Sequence, residues 1–174
     1  FLKKALADER FYEDAFGFFL KALDFEDIDY YVLYNLGLVH LFSVNHFDLE
    51  KSKTYFQKAA KYGSIDVNFV KSKITDHSSS FELLISPRKL STNALIYAAR
   101  ISFDLKDTRH ALALIEQALQ VSPKNTEVLF DKAIYALAQS QTGTCINALK
   151  EAIEADYFIT LKILSNMKMM DKIE

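Results

Sequence analysis

Any chemistry in this sequence would have to start from four histidines, one cysteine and two acidic clusters. His40, His46, His77 and His110 include no pair four residues apart, and none stands beside a carboxylate at metalloprotease spacing. A helix presents two imidazoles to one zinc ion only when they share a face, so this set does not read as a metal site. His40 reads as a helix residue at a helix–helix contact, His46 and His77 as loop residues, and His110 as lying near the start of a helix. Cys145 would need a depressed thiol pKa and an oriented base to act as a nucleophile, and its neighbours offer neither. It reads as a small packing residue. Glu9, Arg10, Glu13 and Asp14 form one acidic-rich cluster, and Asp24, Glu26, Asp27 and Asp29 another. Both read as a solvated helix end and turn, and acids near a following helix start suit its dipole. The second lacks the Gly and closing Glu of a calcium loop. There is no Gly-rich phosphate loop and no Gly-x-Ser-x-Gly elbow. The expectation is a non-catalytic chain with no metal and no cofactor.

The elements that would position such residues are helical. The 174 residues fit one domain, and only four Gly and two Pro are present, fewer than the turns of a sandwich or a doubly wound sheet normally use. The net charge is −2 with Lys and Arg scattered, so no basic stripe points to nucleic acid or a membrane surface. No apolar run reaches the roughly 18 residues of a membrane span. A single cysteine cannot close an internal disulfide, which suits a reducing, cytoplasmic setting. The chain opens on Phe1 and not Met, as an excised piece of something longer would, with an activity elsewhere.

Internal repetition carries the fold argument. Thr92 is matched by Thr126, Leu95 by Leu129, Ala99 by Ala133, Ala111 by Cys145, Leu112 by Ile146, Ile115 by Leu149, Ala118 by Ala152 and Leu119 by Ile153, every pair 34 residues apart. Each unit carries two apolar runs at helical spacing around a polar break: Asp107–Arg109 in one, Ser140–Gly143 in the other. Tyr12–Leu23 resembles the second run, and another hairpin spans Tyr30–Tyr62. Ala99 to Ala111 is 12 residues but Gly37 to Ser52 is 15, so the turn around residues 43–48 should be longer than its counterparts. Residues 64–91 break the pattern. Asp66 reads as an N-cap of a short helix to Ile74, Thr75–Ser80 as a polar loop, and Ser79 with Glu82 as a capping box opening a helix over Phe81–Ile85 that Pro87 ends. The segment reads as a shortened, degenerate hairpin, with a partly ordered loop as the alternative. Tyr157–Met170 reads as a final capping helix.

Small residues recur where two helices would cross: Gly37, Ala99 and Ala133 in first helices, with Ala15, Ser52, Ala111 and Cys145 facing them in second helices. Ala22, Ala59, Ala118 and Ala152 recur one contact further on. On this register, the 34-residue spacing, and strings such as Tyr34-Asn35-Leu36-Gly37 and Ala118-Leu119-Gln120-Val121-Ser122-Pro123, about four-fifths of the chain resembles the tetratricopeptide repeat (TPR) family. Trp is absent, its usual slot holding Leu33, Leu95 and Leu129, and the three-residue insertion is similar to Sel1-like repeats. The resemblance implies an all-α, right-handed α-solenoid of about four antiparallel helical hairpins, one degenerate. The single domain would divide into hairpins at 1–63, the irregular 64–91, two regular repeats at 92–157 and a cap at 158–174.

The resemblance also implies a function: a protein-interaction scaffold whose first helices line a concave groove for a peptide or helix. Projected onto this chain, the groove carries Tyr31, Tyr34, Asn35, Leu38, Phe42, Tyr97, Arg100, Phe130 and Ile134, an apolar rather than charged set. Residues 64–91 or the last helix would fill that groove equally well. Other readings stay open: a regulatory or dimerisation module of a larger enzyme or signalling protein, a homodimer, or a ligand-sensing pocket under the irregular segment.

Overall fold

The computed structural model describes residues 9–23, 29–65 and 87–170, and among them every regular element is a helix. The chain divides into two compact units, residues 1–101 and 102–174. The expected elements over Asp66–Ile74, Thr75–Ser80 and Phe81–Ile85, together with His77 and the acids at 24–27, lie outside the described residues.

The first unit holds α1 (Glu9–Leu23), α2 (Tyr30–Phe42), α3 (Leu49–Ile65) and most of α4 (Pro87–Asp104). Asp29 starts α2 by accepting the Tyr31 N–H at 2.7 Å, an N-cap bond that satisfies one of the orphan donors of the first turn. α2 buries Tyr30, Leu33, Leu36, Gly37, Val39 and His40, residues on more than one face, as expected of a helix covered on several sides. It pairs with α3 through a close crossing. The Ser52 hydroxyl donates to the Gly37 carbonyl at 2.8 Å, and a Cβ at Gly37 would lie 2.9 Å from the Phe56 ring. Gly is required there because Phe56 is fully buried and has no room to retreat. Pro87 is the first residue of α4, and the helix over Phe81–Ile85 that it was expected to end lies outside the described residues. A first-turn proline loses no hydrogen bond and already has helical φ. The Ser91 hydroxyl then ties α4 to the Ala60 carbonyl of α3 at 3.1 Å.

The second unit holds the end of α4, then α5 (Thr108–Val121), α6 (Thr126–Ala138), α7 (Thr142–Ala155) and α8 (Tyr157–Met170). Two of its turns are the same object 34 residues apart. Lys106 and Ser140 both have positive φ, 67° and 60°. Around the first, Asp107 N donates to the Ser102 carbonyl and Lys106 N to that of Phe103. Around the second, Gln141 N donates to Ala136 and Ser140 N to Leu137. Both are Schellman closures, which satisfy the last carbonyls of a helix by a left-handed residue. Asp107 then caps α5 through the His110 N–H at 3.1 Å, and Asn125 caps α6 through that of Val128. Gln141, at the matching position before α7, makes no side-chain cap bond.

The α6–α7 crossing is built from Ala133, Ala136, Cys145 and Ala148, with Leu149 against them. The Gln139 amide also donates to the Thr108 carbonyl, joining the end of α6 to the start of α5. α8 is anchored by Thr160, whose hydroxyl reaches the Ala152 and Asp156 carbonyls at 3.0 and 2.8 Å. Phe158, Leu161 and Leu164 of that helix face solvent, Phe158 at 80% exposure.

Candidate functional site

Two constellations in the first unit bring chemically distinctive side chains together. The first is an aromatic face. The Phe56 ring stacks on Tyr97 at 4.9 Å, and Tyr34 meets both edge-on, at 5.4 Å from Phe56 and 6.2 Å from Tyr97. Phe56 is wholly buried, while Tyr34 and Tyr97 are half-buried, so two rings from two helices reach the surface over a common floor. Burial pushes the Tyr34 hydroxyl up to about 12, aided by the neighbouring Tyr97, against a hydrogen bond from Asn93. Tyr34 is therefore a neutral hydroxyl at any physiological pH, suited to hydrogen bonding and not to proton transfer.

The other expected groove residues are distributed unevenly. Tyr31, Asn35 and Leu38 are half-buried on α2, and the Asn35 amide is spent on the Tyr31 carbonyl at 2.8 Å. Phe42 and Arg100 are exposed. In the second unit Ile134 is half-buried, but Phe130 is only 5% exposed and offers no ring surface to a partner. Phe130 belongs to the core because it follows Val128 and Leu129 on a helix buried over much of its girth. Of the repeat positions, Gly37, Ser52, Ala59, Ala99, Ala111, Ala118, Ala133, Cys145 and Ala152 are buried, whereas Ala15 and Ala22 of α1 are half-buried.

The second constellation involves residues that sequence reasoning left as a solvated cluster and a plain loop. The longer turn at 43–48 is a receptor for two carboxylates of α1. Glu9 accepts from the Ser43 hydroxyl and from the backbone N–H groups of Val44 and Asn45, both at 3.1 Å. Glu13 accepts from the Asn45 amide at 2.8 Å and from His46 Nε2 at 3.0 Å. The Ser43 bond is the main cause holding the Glu9 carboxyl below its usual range; the Asn45 and His46 bonds do the same for Glu13. Phe16, one turn on, stacks on His46 at 4.0 Å and meets His40 edge-on at 5.6 Å. His40 in turn stacks on Tyr55 of α3 and donates from Nδ1 to the His46 carbonyl at 2.7 Å. The signal that could have found this site was present: carboxylates at i and i+4 on one helix face, and a three-residue insertion carrying Ser, Asn and His.

Among the described residues no group of three His, Cys, Asp or Glu could hold a metal ion, and no helix is long and apolar enough to cross a membrane. No protein-family model matches the sequence, and no curated protein matches it. Among solved structures, the chain is similar to MamA AMB-1, at 14% identity over 89% of both chains with a TM-score of 0.38. It is similar to MamA MSR-1 at the same identity and score, over 89% of this chain and 94% of that one. It is also similar to YrrB, "a TPR protein with an unusual peptide-binding site", at 16% identity over 92% of this chain and 87% of that one, with a TM-score of 0.39.

Proposed function

We propose that this chain is a non-catalytic protein-interaction scaffold of TPR type, and that the face around Tyr34 and Tyr97 takes a peptide or helix. The observation that supports the reading most is the half-exposed Tyr34–Tyr97 pair over buried Phe56. Tyr anchors contact area at low entropic cost and keeps a hydroxyl for orientation, which is why it is enriched at interface hot spots. Phe42 and Arg100, on the same two helices α2 and α4, are exposed. The partner expected is a peptide or amphipathic helix with an apolar stripe. The free thiol of Cys145 fits a cytoplasmic setting. The test is a panel of amphipathic peptides against the chain and its Tyr34→Ala/Tyr97→Ala variant. Loss of binding with unchanged helical circular dichroism supports the reading; unchanged binding counts against it.

A second reading, self-association, is favoured by the exposed apolar side chains Ile146 and Ile153 of α7 and Phe158 and Leu161 of α8. Light scattering at twice the monomer mass, restored to monomer by Ile153→Asp with Phe158→Asp, would support it.

A further inference from the structure

We infer that the outer face of α7 and the start of α8 pair with the same surface of a second copy, the α8 of each chain lying over the α7 of the other, Lys162 against Glu151 and Glu154. This pairing rests on the self-association reading above and gives it an occupant and a register.

The preceding repeat shows what this face lacks. Residues 34 apart hold equivalent places, so α5 and α6 show how a second helix is covered by the next first helix. α6 packs on α5, and its Gln139 amide reaches the Thr108 carbonyl. On that pair Leu112 is 8% exposed and Val128 is fully buried. One repeat later Ile146 replaces Leu112 and is 47% exposed, while Lys162 replaces Val128 and is exposed. Ile153, in the place of half-buried Leu119, is 45% exposed. Yet α8 keeps the register of a first helix, since Thr160 is buried as Thr92 and Thr126 are. The link between the helices accounts for the difference. Residues 122–125 separate α5 from α6, but Asp156 alone separates α7 from α8. Antiparallel helices are ordinarily joined by two to five residues, and a single residue makes a corner instead. The Thr160 hydroxyl, bonded to the Ala152 carbonyl, holds that corner.

Each chain thus carries a second helix without its cover, and a first helix that covers little. Phe158 and Leu161 of α8 are exposed along with Ile146 and Ile153 of α7. A surface that holds both halves of a contact is self-complementary, the condition for a closed two-fold dimer. Charge complements shape. Glu151 and Glu154 are exposed where α5 has neutral Gln117 and Gln120, so α7 ends on two acids against one base, Lys150. Through Ser165, α8 carries Lys162 as its single charge. Opposite charges across a contact fix its register.

The experiment is sedimentation equilibrium on the full chain, on Glu151→Lys/Glu154→Lys, on Lys162→Glu, and on an equimolar mixture of the two variants. The unaltered chain should sediment as a dimer, and each variant alone should dimerise at least tenfold more weakly. The mixture should recover the dimer, because each α8 then meets an α7 of opposite charge. A dimer that neither variant weakens, or a mixture that stays monomeric, overturns this pairing and leaves self-association standing. An unaltered chain that is monomeric at millimolar concentration overturns both. Should a variant lose its helical circular dichroism, the unaltered dimer decides. Its dissociation constant should rise several-fold between about 0.1 and 1 M sodium chloride, and an unchanged constant overturns the pairing.

Discussion

The turn between α2 and α3 and the turn between α6 and α7 solve one problem in different ways. Each must reverse the chain between two helices that meet at small residues. The later turn is short and self-contained: Ser140 takes the left-handed conformation, and two backbone bonds close it. The earlier turn is longer, uses no left-handed residue, and leaves N–H groups over. Those N–H groups go to Glu9 of another helix. Three added residues thus convert a local closure into a tertiary contact, at the cost of making α1's position depend on charge.

The comparison is most sharply tested at the crossings these turns serve. Phe56→Ala removes the floor under Tyr34 and Tyr97 and should destabilise the first unit by about 3–5 kcal/mol in thermal or urea melts. Gly37→Ala forces a methyl to 2.9 Å from that ring and should cost about 1–3 kcal/mol. Gly143→Ala on α7 meets nothing within 4 Å and should stabilise, by up to about 1 kcal/mol. A destabilising Gly143→Ala would erase the contrast. Ser140→Gly should relieve the left-handed strain of a non-Gly residue, gaining about 1 kcal/mol in the same melts, and Gly at residue 44 should gain nothing of the kind.

Gln141→Asp supplies the cap that Asp107 provides one repeat earlier, and should add roughly 0.5–1 kcal/mol to the second unit. The smallest effect is a pH response confined to one turn. Glu9 and Glu13 have carboxyls lowered from the ordinary 4.5, so their contribution is present above that value and is lost as pH falls through the lowered folded pKa. The groups around them are His40 on α2, His46 and Asp48 in the loop, and Tyr55 on α3. Amide exchange at 9–23 should quicken below about pH 4.5 while the backbone-closed turn at Ser140 holds, and equal response of both would show that α1 is not held by its carboxylates.

Much of this architecture was legible in the residues. Scarce Gly and Pro, apolar runs at helical spacing and pairs 34 apart specify helical hairpins, because each of these is a local property of the chain. The longer turn at 43–48 was legible too, from a count of residues between Gly37 and Ser52. That α4 starts at Pro87 was not foreseen, because proline marks either end of a helix and the chain that follows decides whether a helix begins there. Phe130 was misplaced because repeat register assigns a face, whereas burial depends on what else covers that face.

Local patterning by itself therefore determined the helices, their small-residue crossings and the length of each turn. What a turn does with its unspent donors was decided only in three dimensions. Glu9 and Ser43 are far apart in sequence, and no short-range rule pairs them. They meet because α1 and the 43–46 loop are brought side by side, and a carboxylate that finds three N–H or O–H donors there is held.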